Sequence, residues 1–105
     1  MTKAYWVAHA TVTDAQAWDR YRAANAAAFA RFGGRFLVRG GAQAVAEGEA
    51  RPRCVVVEFP DLASARACYD SEEYRAAMAH RAGAGVLDLV IVEGVEADQA
   101  GISPA

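Results

Sequence analysis

Histidine and cysteine are scarce in this 105-residue chain, with two of each. Cys54 and Cys68 share no CxxC spacing and sit in apolar stretches, so they read as buried free thiols in a reducing, cytoplasmic setting rather than as a metal or redox pair. His9 falls on a strand and His80 on a helix without clustered carboxylates, which argues against a metal site. The glycine pairs have neither the G-x-G-x-x-G nor the Walker spacing, and they do not lead from a strand into a helix, so a phosphate cradle is excluded. Ser64 and Ser71 have no histidine partner in their sequence context, and no hydrolase triad emerges. A block of Lys or Arg is also missing, and the formal net charge is -2, which argues against nucleic acid or an anionic membrane as partner. The N-terminal apolar run is interrupted by His9, Thr11, Thr13 and Asp14, too soon for a signal peptide or a membrane span.

Apolar residues are abundant, at 54% of the chain. Much of that share is alanine, which predicts close helix packing with apolar surface left over for self-association. The length accommodates one modest core, so a single domain is expected over residues 1–95, followed by an aperiodic tail over 96–105.

Periodicity divides the domain into elements. Tyr5 to Val12 alternates as a strand, with Trp6, Ala8, Ala10 and Val12 on one face and Tyr5, Val7, His9 and Thr11 on the other. Thr13 and Gln16 form a capping-box pattern ahead of Trp18, Tyr21, Asn25, Ala28, Phe29 and Phe32, which recur at helical spacing until Gly33. A second strand begins at Arg35, with Phe36 and Val38 facing one way and Arg35, Leu37 and Arg39 the other. Gly40 and Gly41 are expected to bend it before Ala42 to Ala46 extend it towards a turn at Glu47-Gly48-Glu49. A third strand follows from Arg53 to Phe59. Asp61 and Ser71 each resemble a helix cap, so the next helical region is expected to break near Asp70 and run on to about Arg81. Val86 to Glu93 reads as the last strand.

The order β-α-β-β-α-β predicts an α+β, ferredoxin-like domain, with a four-stranded antiparallel sheet and both helical segments on one face. The other face would carry Tyr5, Val7, Leu37 and Val56, too apolar to leave in water at about 25 cal/mol per Å². A second copy packed sheet to sheet is the simplest cover, giving a homodimeric α/β barrel.

Several runs resemble a known family. Gly33-Gly34-Arg35-Phe36-Leu37-Val38-Arg39-Gly40-Gly41, Val55-Val56-Val57-Glu58-Phe59-Pro60, Tyr69-Asp70-Ser71-Glu72-Glu73-Tyr74 and Val92-Glu93-Gly94 together are similar to the domain of unknown function 1330 family. These are small bacterial proteins of the dimeric α/β-barrel superfamily. The resemblance implies the fold and the dimer but no particular reaction, because the superfamily includes cofactor-independent oxygenases, lactone isomerases, haem-degrading enzymes and members without demonstrated catalysis.

Candidate chemistry centres on the open sheet face. A hairpin turning near Gly48 would place Arg39 roughly opposite Glu58, with His9 on the adjacent strand at the same parity. Arg39 would then anchor a carboxylate or enolate, and His9 would act as a general base tuned by Glu58, with Tyr5 nearby. The same residues also fit an ion pair that satisfies itself inside a structural dimer. Tyr69 and Tyr74 flank the helical break, either lining the mouth of a substrate cleft or packing in the core. His80 is a solvated helix-end residue or, less simply, a haem ligand. The expectation is a small enzyme or binding protein for an anionic, partly apolar metabolite, without metal or organic cofactor. Its alternatives are a non-catalytic dimer module and a haem-binding protein.

Overall fold

The computed structural model describes residues 2–96. Its elements are β1 (Ala4–Val12), α1 (Ala15–Phe32), β2 (Arg35–Arg39), β3 (Arg53–Phe59), α2 (Leu62–Asp70), α3 (Glu72–His80) and β4 (Gly85–Glu93). The strands make one antiparallel sheet in the order β2-β3-β1-β4, which is the ferredoxin-like arrangement expected from the element order. The tail expected over 96–105 lies, past Glu96, outside the described residues.

Local chemistry sets the helix ends. Asp14, and not Thr13, caps α1: its Oδ1 accepts from the Ala17 amide at 3.1 Å, and a carboxylate also suits the positive end of the helix dipole. Gly33 ends α1 at φ 75°, a left-handed conformation that costs glycine little. Asp61 accepts from the Ser64 amide at 2.7 Å to start α2. Ser71 caps α3 by accepting from the Tyr74 amide at 3.1 Å, while its own hydroxyl donates back to the Cys68 carbonyl at 2.7 Å. The helical region breaks there as the sequence predicts.

The two faces of β1 differ as strand alternation requires. Ala4, Trp6, Ala8 and Ala10 are buried beneath the helices, and Tyr5, Val7, His9 and Thr11 are only half-covered on the other side. Trp6 is the hub of the core. Its ring meets Phe29 edge-on at 5.2 Å and Tyr74 at 4.9 Å, and its indole N–H donates to the Ala65 carbonyl at 2.9 Å. Such edge-to-face pairs contribute about 0.5–1.5 kcal/mol each beyond the area they bury.

The second strand departs from expectation in two ways. It ends at Arg39, and residues 40–52 form an exposed loop in place of the extension from Ala42 to Ala46. Gly40 leaves the extended region at φ 74°, and the small side chains that follow offer nothing to hold a ladder. The strand also bulges between Phe36 and Val38: Arg35 pairs with Glu58 and Phe36 with Val57, but Val38 pairs with Val56 and Arg39 with Val55. Leu37 is the extra residue, so side-chain parity inverts after it. Val38 joins the open face, and Arg39 turns to the face that carries the helices.

Candidate functional site

A cleft opens between α1 and the sheet. β1 contributes Ala8 and Ala10 to its floor, and β4 contributes Leu87 and Leu89. Two alanines at the middle of a central strand leave room that larger side chains would fill. α1 packs chiefly on α3 and approaches the sheet more loosely than α2 does. The cleft is small, with a cavity volume of about 40 Å³. Trp6, Trp18, Tyr21, Phe29 and Phe36 supply aromatic walls.

Three arginines also line the cleft. Arg22 comes from α1, Arg39 from the end of β2 and Arg53 from the start of β3. Arg39 lies over the Phe36 ring at 4.2 Å, a cation–π contact that holds the guanidinium at the wall. Gly40 makes space for Arg53: a Cβ there would sit 2.5 Å from Arg53 Nη1. Partial burial, followed by repulsion from Arg22 and Arg39, lowers the Arg53 pKa against the opposing pull of Asp19. The guanidiniums are therefore close enough to repel one another. Arg22 meets Asp19 at 3.3 Å in an exposed i,i+3 pair, whereas Arg39 and Arg53 have no carboxylate partner among the described residues. Among the described residues no Asp, Glu or His lines this cleft.

Asn25 occupies the buried face of α1 at 4% exposure. Its Oδ1 is buried and finds no hydrogen-bond partner among the described residues; the residue belongs to the lining of the cleft. Behind the wall, the Tyr21 hydroxyl bonds to that of Tyr74 at 2.7 Å, and Arg81 Nη2 donates to the Tyr74 oxygen at 3.3 Å. Burial, then the neighbouring Tyr21, pushes the Tyr74 phenol well above its ordinary range.

The sheet divides the residues that the sequence predicts to share one pocket. Arg39 is on the helix side, while His9 and Glu58 are on the open side. Arg35 replaces Arg39 as the partner of Glu58, at 3.0 Å, joined by Lys3 at 3.2 Å and Tyr5 at 3.4 Å. Partial burial disfavours the charged form of Glu58, but hydrogen bonds from Lys3 and Arg35 outweigh it and hold the carboxyl below its ordinary value. His9 lies opposite Cys54 and Asp88, in a shallow depression away from Glu58. The bulge at Leu37 sends Arg39 to the other face, and the β1–β3 register, with Tyr5 opposite Glu58, keeps His9 four residues along the strand from it.

Of the two tyrosines, Tyr74 is fully buried in the core. Tyr69 is half-buried, with the Arg75 guanidinium over its ring at 4.9 Å, and it does not line the cleft. His80 is exposed in the last turn of α3 and lines no part of it either. Arg22, Asn25 and Arg53 went unrecognised as site residues. Their signals were a polar Asn25 within an apolar helical stripe and an Arg53 sharing the parity of Val55 and Val57.

The family model described as Domain of unknown function (DUF1330) matches residues 3–95. The chain belongs to the DUF1330 family. Among solved structures, this DUF1330 domain is similar to a protein of unknown function from Rhodopseudomonas palustris, with 19% identity and a TM-score of 0.72, over 90% of this chain and 84% of that one. It is also similar to an EthD family protein from Bacillus halodurans, with 18% identity and a TM-score of 0.53, over 91% of this chain and 99% of that one. Likeness at that level of identity establishes the fold of the DUF1330 domain. No curated protein matches it. Among its described residues no helix is long and apolar enough to cross a membrane.

Proposed function

We propose that this DUF1330 protein is a homodimer in which each protomer binds a small, partly apolar organic anion in the cleft between α1 and the sheet. The observation that carries the proposal is the convergence of Arg22, Arg39 and Arg53 on an aromatic-walled cleft that no carboxylate lines among the described residues. Three guanidiniums with Asp19, paired to Arg22, as their nearby counter-charge leave an excess of positive charge that favours an anionic occupant. The anchoring role assigned to Arg39 is kept, with Arg53 beside it. His9 and Glu58 act elsewhere, in fixing the open face.

The open face supports the dimer. Val38, Val86, Val90 and Val92 are exposed there, Val90 at 60%. Covering one such valine contributes about 1–2 kcal/mol. The Glu58 cluster and the Arg51–Asp88 pair, at 2.7 Å, border this apolar centre as a polar rim. A cytoplasmic setting goes with the free Cys54 and Cys68.

Native mass spectrometry of gently purified protein reads the dimer and any retained anion together. The expected result is a dimer, converted to folded monomer by Val90→Asp. Arg39→Ala and Arg53→Ala should leave the dimer intact but remove stabilisation by organic acids. A wild-type monomer would refute the assembly, and stabilisation unchanged in both arginine variants would refute the site.

A further inference from the structure

Resting on the anion-cleft reading, we infer that the ligand is a dicarboxylate, with one carboxylate held by Arg39 and the other by Arg53. Backbone register brings these two side chains together. Arg39 pairs with Val55 across the β2–β3 ladder, and Arg53 stands two residues before Val55 on the same face. Diagonal neighbours of this kind start about 7–8 Å apart, within the reach of long side chains. Arg53 then folds back beside the end of β2, where Gly40 clears its path: a Cβ there would sit 2.5 Å from Arg53 Nη1. Arg39 is held in turn over the Phe36 ring. Both stay reachable from solvent, since Arg39 is exposed and Arg53 half-buried.

The number of carboxylates follows from the charges. Arg22, Arg39 and Arg53 all line the cleft, and the nearby carboxylate, Asp19, is paired with Arg22 at 3.3 Å. Arg39 and Arg53 are left over, neither with a carboxylate partner among the described residues. They repel one another, which contributes to the lowered pKa of Arg53. Each guanidinium is a planar fork that takes one carboxylate through two parallel N–H donors. A monocarboxylate satisfies one fork and leaves the other uncompensated beside it. A diacid neutralises both, and its short hydrocarbon link lies against the aromatic wall that Phe36 provides.

The test compares acids of equal shape and unequal charge by titration calorimetry at low ionic strength. Malonate, succinate and glutarate are each set against their own mono-amide, at about pH 7.5, where both carboxyls are ionised. In the wild type the diacid of at least one length should bind about tenfold or more tightly than its amide. Arg39→Gln and Arg53→Gln should each weaken that diacid more than the amide and bring the ratio to about one. A merely structural arginine would weaken the two alike. Should either variant fail to fold, the wild-type ratios still decide. Equal binding of diacid and amide at every length, with both members weakened in the arginine variants, overturns the dicarboxylate and leaves the anion cleft standing. Failure of every acid to bind overturns both.

Discussion

Replacing Tyr74 by Phe tests the polar contact behind the cleft wall. The ring itself should stay, since its neighbours Trp6, Tyr69 and Phe29 surround it at 4.9, 5.5 and 6.3 Å. The lost hydroxyl leaves the buried Tyr21 oxygen without its 2.7 Å partner and deprives Arg81 of an acceptor. Arg81 Nε already lacks one among the described residues. An orphaned buried group costs about 1–3 kcal/mol. Taking about 2 kcal/mol, thermal unfolding of a domain this size should fall by about 8–16 °C. Tyr21→Phe should cost a similar amount, and the double variant should cost less than the two together, because both singles break one bond. Urea and thermal melts at one fixed protein concentration provide the readout, since a dimer's midpoint depends on concentration. The high-pH behaviour follows from the raised phenol. The unfolded chain loses this proton at about 10, whereas the folded protein holds it to higher pH. The contribution is thus complete below about pH 10 and declines as pH rises towards the folded value. The gap between wild type and Tyr74→Phe should narrow there. A neutral Tyr74→Phe, or additive singles, would refute the account.

Three further outcomes are expected. The fully buried Cys68 thiol is pushed up to about 12, by burial first and then by Glu73, so a thiol reagent at pH 8 should label the half-buried Cys54 and spare Cys68 in the native protein. Equal labelling by peptide mass analysis would contradict this packing. Glu58 holds its charge to lower pH when folded than when unfolded, so its contribution is present above an ordinary carboxyl pKa of about 4.3 and fades as pH falls through the folded value. Glu58→Gln should accordingly flatten the acid limb of a stability-against-pH profile, and an unchanged limb would remove Glu58 from the account. Gly40→Ala should weaken acid binding, because a Cβ would displace Arg53 and strain a backbone at φ 74°, and calorimetry showing unaltered affinity would contradict that placement.

Most of the architecture could be read in the chain. Alternation from Tyr5 to Val12, the caps at Asp61 and Ser71, and the β-α-β-β-α-β order all correspond to features of the structure. Each depends on a local pattern whose physics involves few residues. The site was less legible because it depends on counting along β2. Strict alternation from Arg35 puts Arg39 on the same face as Glu58, and one unpaired residue at Leu37 is enough to reverse that. Bulges have little sequence signature when the bulged residue is not glycine. The glycines at 40 and 41 drew attention to the wrong place. Asn25 had the clearer signal, a polar side chain amid Tyr21, Ala28 and Phe29 on the buried face of α1, but periodicity alone gives no indication that its partner is missing.

The bulge also means that a length, rather than a side chain, sets the electrical character of the two sides of this wall. Drawing Leu37 into the ladder, so that β2 pairs with β3 without the bulge, would leave every charged group in the protein unchanged. It would nonetheless transfer Arg39 from the cleft to the opposite surface and return Val38 to the interior side. Cleft and dimer face would exchange a cation for a hydrocarbon in one step. In a fold of this kind, gain or loss of a bulge within the second strand is therefore a route by which ligand preference and assembly change together, and sequences compared column by column across that strand can align chemically identical arginines that point into different compartments.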